Sequence, residues 1–364
     1  MPRKPKQPAF DIREQQRQIA LKAKWFSAEA CEPGTYEDKL TPVCLHDDLK
    51  HENLHVTIRD QALEYFNARC ISWHSMGHLT SSQSCCVNIV FPFFQRPDLL
   101  KSLLEEIGYS VQEVLPFEFD FITNLKTAGW KLRHTDVGGK STPHHIAFEW
   151  IGAKNYLKEL WGKNVCGNTT RTRGGRFSSV DFAIRFRRND GRIQIVLTEW
   201  KYAESYTNDR SKRFSDSKTD RLERIYRKSL EREDCQIQLP GGIQFEDLFF
   251  DPFDQMMRHQ LLASAMECAN EMGADIVSYL HVAPRSNAEL VNRITSPKLK
   301  DYGGSIYEVW RHLVSPDRFH HCFLGDFVLA ATKHAPDESW SDFVRHRYGR
   351  METSELDDSN RASH

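Results

Sequence analysis

The chain has 364 residues, of which 40% are hydrophobic and 27% charged, and its formal net charge is −1. This composition excludes a disordered chain, and the length predicts one main domain with terminal additions. The near-zero charge excludes a global basic field, so a nucleic-acid partner would have to be held by local basic patches. No apolar stretch is long enough to cross a bilayer, so we expect no membrane partner.

The cysteine content and the first residues bear on the compartment. The chain contains nine cysteines, and an odd number in a long chain predicts reduced thiols and a cytoplasmic protein. The first ten residues, MPRKPKQPAF, are basic but have no apolar core, so they do not match a secretory signal. A solvated arm is the simpler interpretation of this segment, and a nucleic-acid-binding tail is the alternative.

The first part of the chain is predicted to be mainly helical. Segments with helical periodicity are residues 12–26, 59–69 and 98–108. Residues 78–93 are predicted to form a serine-rich turn followed by a buried apolar segment. Residues 111–122 are predicted to form a strand that Pro116 interrupts.

The second part alternates between predicted helices and strands. The helix candidates are a short one over residues 153–161, a charged one within 204–234, and a long one over 253–272. The strand candidates are residues 180–187, 193–202 and 275–283. The remainder is predicted to be helical up to a polar, acidic tail. This order favours an α/β layered domain with a mixed sheet.

A tight turn joins the first two of these strands and fixes their register. The segment Asn189-Asp190-Gly191 fits a three-residue hairpin loop with a glycine in the left-handed conformation. The pairs counted outward from it are Arg187 with Ile193, Arg185 with Ile195, and Ala183 with Leu197. The next pair is Asp181 with Glu199, and directly opposed residues share a sheet face with Cβ atoms roughly 4.5–5.5 Å apart. Lys201, two residues after Glu199, is expected on the same face.

These three residues predict a metal-dependent hydrolytic site. Two opposed carboxylates on an apolar sheet repel each other and are costly to desolvate, and a divalent cation resolves that conflict. Mg²⁺ commonly takes one or two carboxylates together with substrate phosphate. A nearby lysine can orient or deprotonate the attacking water and neutralise developing charge. Asp181, Glu199 and Lys201 therefore predict phosphodiester hydrolysis with Mg²⁺ or Mn²⁺.

Two simpler interpretations of the hairpin stay open at this point. A two-residue Asp-Gly loop would place Asp181 opposite Trp200, on the other face of the sheet. A surface hairpin whose Lys201 pairs with a carboxylate would have the same spacing. The Glu-x-Lys triplet alone carries little information, since Glu37-Asp38-Lys39 is another one in a polar context.

The order of the motifs resembles the PD-(D/E)XK nuclease superfamily, and within it a group of uncharacterised restriction-endonuclease-like bacterial proteins. The residues that match, in chain order, are Ser81, Ser82, Gln83, Asn88, Glu118, Asp181, Glu199, Lys201 and Tyr202. The resemblance covers about residues 75–285. Val180 stands where the motif has a proline, a replacement that is common in the superfamily.

The resemblance implies an α/β, restriction-endonuclease-like fold, in which a mixed central β-sheet is flanked by helices and extra helical segments lie at both termini. The domains expected on this basis are a polar, helical N-terminal extension (1–60), a nuclease-like core (61–300), a C-terminal helical extension (301–350) and a disordered tail (351–364). By position, Asp181 and Glu199 would bind the metal, Lys201 would act on the water, and the Trp200 backbone carbonyl would complete the coordination.

Further residues are candidates for supporting roles. Glu118 would be an additional acidic ligand or base, or else a glutamate at a sheet edge. Gln260 would support the site from the helix after the hairpin, or else only pack on that helix. The arginines of RTRGGRF, which are Arg171, Arg173 and Arg176, would contact the phosphates of a nucleic acid because the guanidinium group binds phosphate in bidentate fashion.

Two other clusters of charged or metal-ligating residues have less specific patterns. A second basic run consists of Lys212, Arg213, Lys218, Arg221, Arg224 and Arg227, and its acidic neighbours favour a solvated helix. A polar region rich in possible zinc ligands contains Cys31, Cys44, His46, His51 and His55, in a spacing that matches no known finger pattern.

The sequence therefore predicts a Mg²⁺-dependent nuclease that acts on nucleic acid, with DNA the expected substrate and a homodimer a possible way to cut two strands. The first alternative is a non-catalytic nucleic-acid-binding protein on the same fold. The second alternative is a metalloenzyme that acts on small phosphoesters.

Overall fold

The computed structural model describes residues 9–69, 71–117, 119–122, 129–132, 143–159, 178–206, 210–214, 219–335 and 337–349. The α-helices of these residues are α1 (Ala9–Trp25), α2 (Val56–Ala68), α3 (Ser82–Val90), α4 (Pro97–Glu106), α5 (Arg227–Leu230), α6 (Phe253–Cys268), α7 (Ala288–Val291), α8 (Ile306–Leu313), α9 (Leu324–Lys333) and α10 (Glu338–Val344). Segments Leu222–Tyr226 and Arg345–Gly349 are π-helical. Short 3₁₀ segments are Asp47–Asn53, Phe91–Phe93, Phe245–Leu248, Glu271–Gly273 and Leu299–Tyr302.

The strands form one central sheet and two small hairpins. Their bounds are β1 (Gly34–Tyr36), β2 (Lys39–Thr41), β3 (Val111–Leu115), β4 (Phe119–Ile122), β5 (Gly129–Leu132), β6 (Ile146–Trp150), β7 (Val180–Arg188), β8 (Ile193–Trp200), β9 (Ile276–Ala283) and β10 (Phe319–Phe323). β1 pairs with β2, and β4 pairs with β5, in two separate antiparallel hairpins.

The central sheet has six strands in a mixed arrangement. β10, β9, β8, β7 and β3 follow one another across it, and β6 pairs with β7. β8, β9 and β10 run parallel, whereas β7 is antiparallel to β8, β6 and β3. The predicted fold class, a mixed sheet flanked by helices with additional helices at both termini, is confirmed.

The register of the central hairpin is the one that the turn predicts. Arg187 pairs with Ile193, and the ladder continues in step to Phe182 and Thr198. Gly191 has a φ of 85°, the left-handed conformation that the loop requires. The next residues along the two strands are Asp181 and Glu199, so the two-residue loop that would have separated them is excluded.

The central sheet separates two apolar clusters. On one face, Phe182 and Val196 pack with helices α1 to α4, α9 and α10. On the other face, Ala183 and Leu197 pack with α6, α7 and α8. Side chains alternate between the faces of a strand, so Asp181 and Glu199 share the α6 face with Ala183 and Leu197. The long helix after the hairpin therefore covers the site.

Three segments differ from the prediction. No helix forms in the described residues of 153–161, where Lys158 has a positive φ of 53° that a right-handed helix does not readily contain. The C-terminal part is not helical throughout, because β10 extends the sheet beside β9. The serine-rich turn is helical in part, because Ser82 and Ser84 already belong to α3, and the apolar segment that follows is buried, as predicted.

Some predictions concern residues outside those described, including the disordered tail at 351–364. Within the described residues, no helix has the length and apolar character that crossing a membrane requires.

Candidate active site

Asp181, Glu199 and Lys201, hereafter the acid–lysine cluster, lie at the end of the hairpin opposite its turn. All three are buried, with exposed fractions of 5%, 2% and 7%. The Lys201 Nζ atom lies 2.6 Å from Glu199 Oε1. The Asp181 carboxylate accepts a hydrogen bond through Oδ2 from the backbone N–H of Trp200 at 2.7 Å. The three sequence-predicted residues are thus brought together.

The backbone at this end of the sheet explains the position of Asp181. The ladder between β7 and β8 ends at Phe182 and Thr198, and beyond it the Asp181 side chain satisfies the N–H of Trp200. In an extended strand, the N–H and C=O of one residue point to the same side. The Trp200 carbonyl is therefore directed toward Asp181, while its indole ring is buried on the opposite face of the sheet.

The charge on Lys201 is fixed by its neighbours. Burial by itself lowers the pKa of a lysine, but here the negative charges of Glu199, Glu204 and Asp181 outweigh burial and raise the pKa of Lys201 above its ordinary value. Lys201 is therefore an ammonium ion at neutral pH. Its backbone N–H donates to the carbonyl of Val282 at 2.8 Å, which anchors the residue to β9.

Helix α6 supplies two further contacts to Glu199. Gln255 Nε2 donates to Glu199 Oε1 at 2.6 Å, and His259 Nδ1 lies 3.5 Å from Glu199 Oε2. The two residues are four positions apart, so they lie on the same face of the helix. Neither was predicted from sequence, although this i, i+4 spacing opposite a buried strand is a signal that could have found them.

Burial is the main influence on the charge of His259. Together with the charges of Arg258 and Lys201, it lowers the pKa of His259 well below the ordinary value. His281, which stands opposite Glu199 in the β8–β9 register, is also buried, and burial and Lys201 lower its pKa well below the ordinary value.

Gln260, the residue that the sequence suggested on α6, points away from the cluster. Its amide donates to Gln236 Oε1 at 2.6 Å and to the carbonyl of Arg318 at 3.1 Å, and it accepts from Trp310 Nε1 at 3.4 Å. All three partners lie outside α6 and outside the acid–lysine cluster.

A buried glutamate on β6 lies beside Asp181. Phe148 and Trp150 pair with Phe182 and Val180, so Glu149 stands level with Asp181, and its φ of 50° marks a local distortion of the strand. Glu149 accepts from Gln83 Nε2 at 3.0 Å and from Ser179 Oγ at 3.1 Å. A glutamate inside the otherwise apolar run IAFEW was the sequence signal for this residue.

The serine motif that precedes the hairpin in the chain contacts the acid–lysine cluster through Glu204. Ser81 caps the N-terminus of α3, and Ser82 bonds to Glu204, whose carboxylate also accepts from the Tyr202 backbone N–H at 2.7 Å. Burial raises the pKa of Glu204, but Lys201 and these hydrogen bonds outweigh it and lower the value. A cleft of about 320 Å³ opens here, lined in part by Ser82, Ala203 and Glu204.

The remaining motif residues bond to the terminal segments. Asn88 accepts from the His55 backbone N–H at 2.8 Å and donates to the Asn53 carbonyl at 2.8 Å. The Tyr202 hydroxyl accepts from Gln18 Nε2 at 2.6 Å and donates to Glu14, both on α1. These contacts fix the strand end that carries Lys201 to the N-terminal helix.

Several predicted residues lie outside those described, namely Glu118, Arg171, Arg173 and Arg176. In the second basic run, described arginines are paired with acids: Arg213 with Asp220 and Glu246, Arg221 with Asp254, and Arg227 with Glu223 and Glu231. Arg227 lies in the helix α5, whereas Arg213 lies outside any helix.

The possible zinc ligands near the N-terminus have other partners. His46 and His55 accept from the backbone N–H groups of Asp48 and Thr57 and so cap two helices. In the part of the chain that the structure describes, no group of three or more histidine, cysteine, aspartate or glutamate residues is placed to hold a metal ion. The described cysteines form no disulfide with one another.

The fold and the site define an α/β protein with a candidate hydrolytic centre on its central hairpin. A family model described as "Restriction Endonuclease associating with ARP" matches residues 18–349, and the chain belongs to that family. This membership indicates a nuclease-like role with a nucleic-acid substrate. No curated protein and no solved structure matches the chain significantly.

Proposed function

We propose that the protein is a divalent-metal-dependent nuclease of the PD-(D/E)XK type that hydrolyses phosphodiester bonds in DNA. The observation that carries the proposal is the convergence of Asp181, Glu199 and Lys201 at one end of the central hairpin. Membership of a restriction endonuclease family supports the same reaction class.

The donor set fits Mg²⁺ or Mn²⁺. Asp181 and Glu199 offer carboxylate oxygens, and the Trp200 carbonyl is directed to the same side. These are hard oxygen ligands, and Mg²⁺ typically uses only one or two protein carboxylates alongside water and phosphate. A bound ion would supply Lewis-acid polarisation of the phosphate and a more acidic water. The absence of a three-residue ligand group among the described residues is compatible with such a site.

Lys201 would act as a charged donor. Its ammonium group can orient the attacking water and neutralise charge that develops on the phosphate. Deprotonation of the water is the other role that the sequence leaves open for this lysine.

Gln255 would be a positioning residue. Its amide donates to the same oxygen of Glu199 that Lys201 contacts, which limits rotation of the carboxylate. The segment with Arg171, Arg173 and Arg176 comes just before Asp181 in the chain, and we propose that it binds substrate phosphates. Binding of this kind weakens as salt rises, because counterions are released from the nucleic acid.

Nicking of supercoiled plasmid DNA in Mg²⁺ or Mn²⁺ tests the proposal. We expect Asp181→Asn and Lys201→Met to lose at least about a hundredfold in rate, the loss typical for one preorganised electrostatic group. Matched controls are Asp190→Asn at the exposed turn of the same hairpin and Lys39→Met in the dismissed Glu-x-Lys triplet, and both should cleave like the parent.

Two results would contradict this function. Equal cleavage by the parent and the two cluster variants would exclude the assigned residues. Salt-dependent binding without metal-stimulated cleavage of any DNA or RNA would instead favour the non-catalytic nucleic-acid-binding protein, and hydrolysis confined to small phosphoesters would favour the small-molecule enzyme.

A further inference from the structure

A cleft opens beside Glu204, at the strand end that carries Lys201. Its volume is about 320 Å³, within the range of pockets that hold small ligands. Its walls come from helix α1, the β1–β2 hairpin, the segment of residues 74–82 and the residues that follow β8. We call it the Glu204 cleft, and the lining residues that decide its chemistry are Asp11, Tyr36, His74, His78, Ser82 and Glu204.

The Glu204 cleft shares a wall with the acid–lysine cluster. The backbone N–H of His74 donates to Gln83 Oε1 at 2.7 Å. Gln83 Nε2 donates in turn to Glu149 Oε1 at 3.0 Å, and Glu149 stands level with Asp181 on the neighbouring strand. Ser82 and Gln83 of the serine motif therefore separate the cleft from the cluster. A DNA strand with one phosphate at the cluster would have a neighbouring nucleotide at the cleft.

The charges in the Glu204 cleft oppose a phosphate and suit a hydrogen-bond donor. No lysine or arginine is among the described residues that line it, whereas Asp11 and Glu204 are acids. Burial lowers the pKa of His78 although the charge of Asp11 opposes that shift, so His78 adds little positive charge at neutral pH. Gln15 Nε2 donates to Asp11 Oδ1 at 3.1 Å, and a carboxylate can accept about four hydrogen bonds in all.

Tyr36 adds an aromatic surface on the exposed side of the cleft. The residue lies on β1 and is 39% exposed. Its ring forms a T-shaped pair with the ring of His78, with centroids 4.9 Å apart, and a side-chain hydrogen bond joins it to Ser75. Aromatic rings beside a groove are the surfaces on which unpaired bases of a nucleic acid stack.

We propose that the Glu204 cleft binds an unpaired nucleobase of the substrate strand, which stacks on Tyr36 and donates its amino group to Asp11. This inference rests on the proposed function, because it takes the substrate to be DNA cleaved at the acid–lysine cluster. Guanine, cytosine and adenine carry an exocyclic amino group and thymine does not, so the cleft favours the first three bases. A base in a duplex must first leave its stack at a cost in free energy, so single-stranded or locally unpaired DNA is the preferred substrate.

Photochemical cross-linking locates the bound base without any cleavage. The probe is a short single-stranded DNA oligonucleotide with 5-iodocytosine at its cytosine positions, bound to the full chain in EDTA. Light breaks the carbon–iodine bond, and the base then joins the aromatic ring on which it is stacked. We expect the cross-linked peptide to contain Tyr36, and we expect the fully paired duplex of the same sequence to give much less of this product.

Variants of the hairpin test the ring itself. Tyr36→Ala should lose the cross-link and bind the same oligonucleotide about tenfold more weakly, the typical effect of removing one stacking ring. Tyr36→Phe keeps the ring and should bind like the parent. Leu40→Ala is the matched control and should also bind like the parent, because Leu40 is 76% exposed on the other strand of the hairpin and does not line the cleft.

The base preference tests Asp11. The parent should bind an unmodified cytosine-containing oligonucleotide at least about fivefold more tightly than one with thymine at every cytosine position, since thymine has no amino group to donate. Asp11→Asn should reduce that preference. Equal affinities of the parent for the two oligonucleotides would overturn the role of Asp11.

The outcomes separate this inference from the proposed function. Metal-dependent cleavage by a protein whose cross-links lie outside the Glu204 cleft would overturn the base site and leave the nuclease proposal standing. A cross-link at Tyr36 in a protein that cleaves no DNA would support the base site and contradict the nuclease. Absence of binding to the single-stranded probe, or equal binding by Tyr36→Ala and the parent, would overturn the base site whatever the plasmid assay shows.

Discussion

Removing Lys201 alone from the acid–lysine cluster should be more harmful than removing it together with Glu199. The Lys201 and Glu199 side chains are both nearly inaccessible to solvent, and their charged atoms are 2.6 Å apart. Loss of one partner of a buried ion pair leaves an uncompensated charge in the interior and costs about 3–5 kcal/mol, whereas replacing both partners is often close to neutral. We therefore expect the double variant Glu199→Gln/Lys201→Met to be more stable in metal-free buffer than Lys201→Met alone.

The two single variants should also differ from each other. Lys201→Met leaves the three carboxylates of Asp181, Glu199 and Glu204 without the ammonium group that they share, which places its cost near 5 kcal/mol. Glu199→Gln leaves Lys201 with two of those carboxylates and retains an amide partner for Gln255, which places its cost near 3 kcal/mol. Excess Mg²⁺ should recover part of the stability of Lys201→Met, because a ligand that binds only the folded state stabilises it by mass action.

Urea denaturation followed by circular dichroism, with EDTA and then with Mg²⁺, measures these free energies of unfolding. Asp190→Asn is a matched control, because Asp190 pairs with Arg192 at 2.7 Å on the exposed turn of the same hairpin, where solvent screens the pair. If the two single effects add up to the double effect within about 0.5 kcal/mol, the pair is not coupled and the electrostatic reasoning is wrong.

Three further predictions concern stability. Tyr202→Phe should cost about 1–3 kcal/mol, because it removes the hydroxyl donor to buried Glu14, and urea denaturation would show no loss if this bond were unimportant. Gly191→Ala should cost about 1–2 kcal/mol from left-handed strain alone, since nothing lies within 4 Å of the added Cβ, and an unchanged melting temperature would contradict that view. Burial, with Arg311 next, lowers the pKa of His321 from 6.5 to about 4. The unfolded chain therefore binds more protons between these pH values, so the unfolding free energy should fall as the pH drops through this window. His321→Gln should remove part of that fall, on the order of 1 kcal/mol after solvent screening of a partly exposed group, and equal pH profiles would refute it.

The central hairpin could be predicted from residues that are close together in the chain. Strand alternation and the Asn-Asp-Gly turn are encoded within about twenty consecutive residues, and they predict the register that brings Asp181 level with Glu199. The placement of Lys201 follows from the period of two along a strand. The long helices α1 and α6 were equally accessible, because their periodicity extends over several turns.

The short apolar strands could not be predicted from local sequence in the same way. β6 and β10 have five residues each, and at this length an apolar run does not distinguish a strand from a piece of helix. Only pairing with β7 and β9 makes them strands. With β6 unrecognised, Glu149 could not be placed beside Asp181.

The candidate site likewise has one part that the sequence predicts and another that only tertiary packing decides. The sequence by itself determined the pair of opposed acids and the lysine, because turn geometry and strand alternation act between residues close in the chain. Which face of α6 meets the sheet was decided by the packing of two apolar clusters from distant segments, and that packing turns Gln255 and His259 toward Glu199 while Gln260 faces Gln236. The contacts that surround the acid–lysine cluster are therefore tertiary, since no local rule couples residues separated by more than fifty positions.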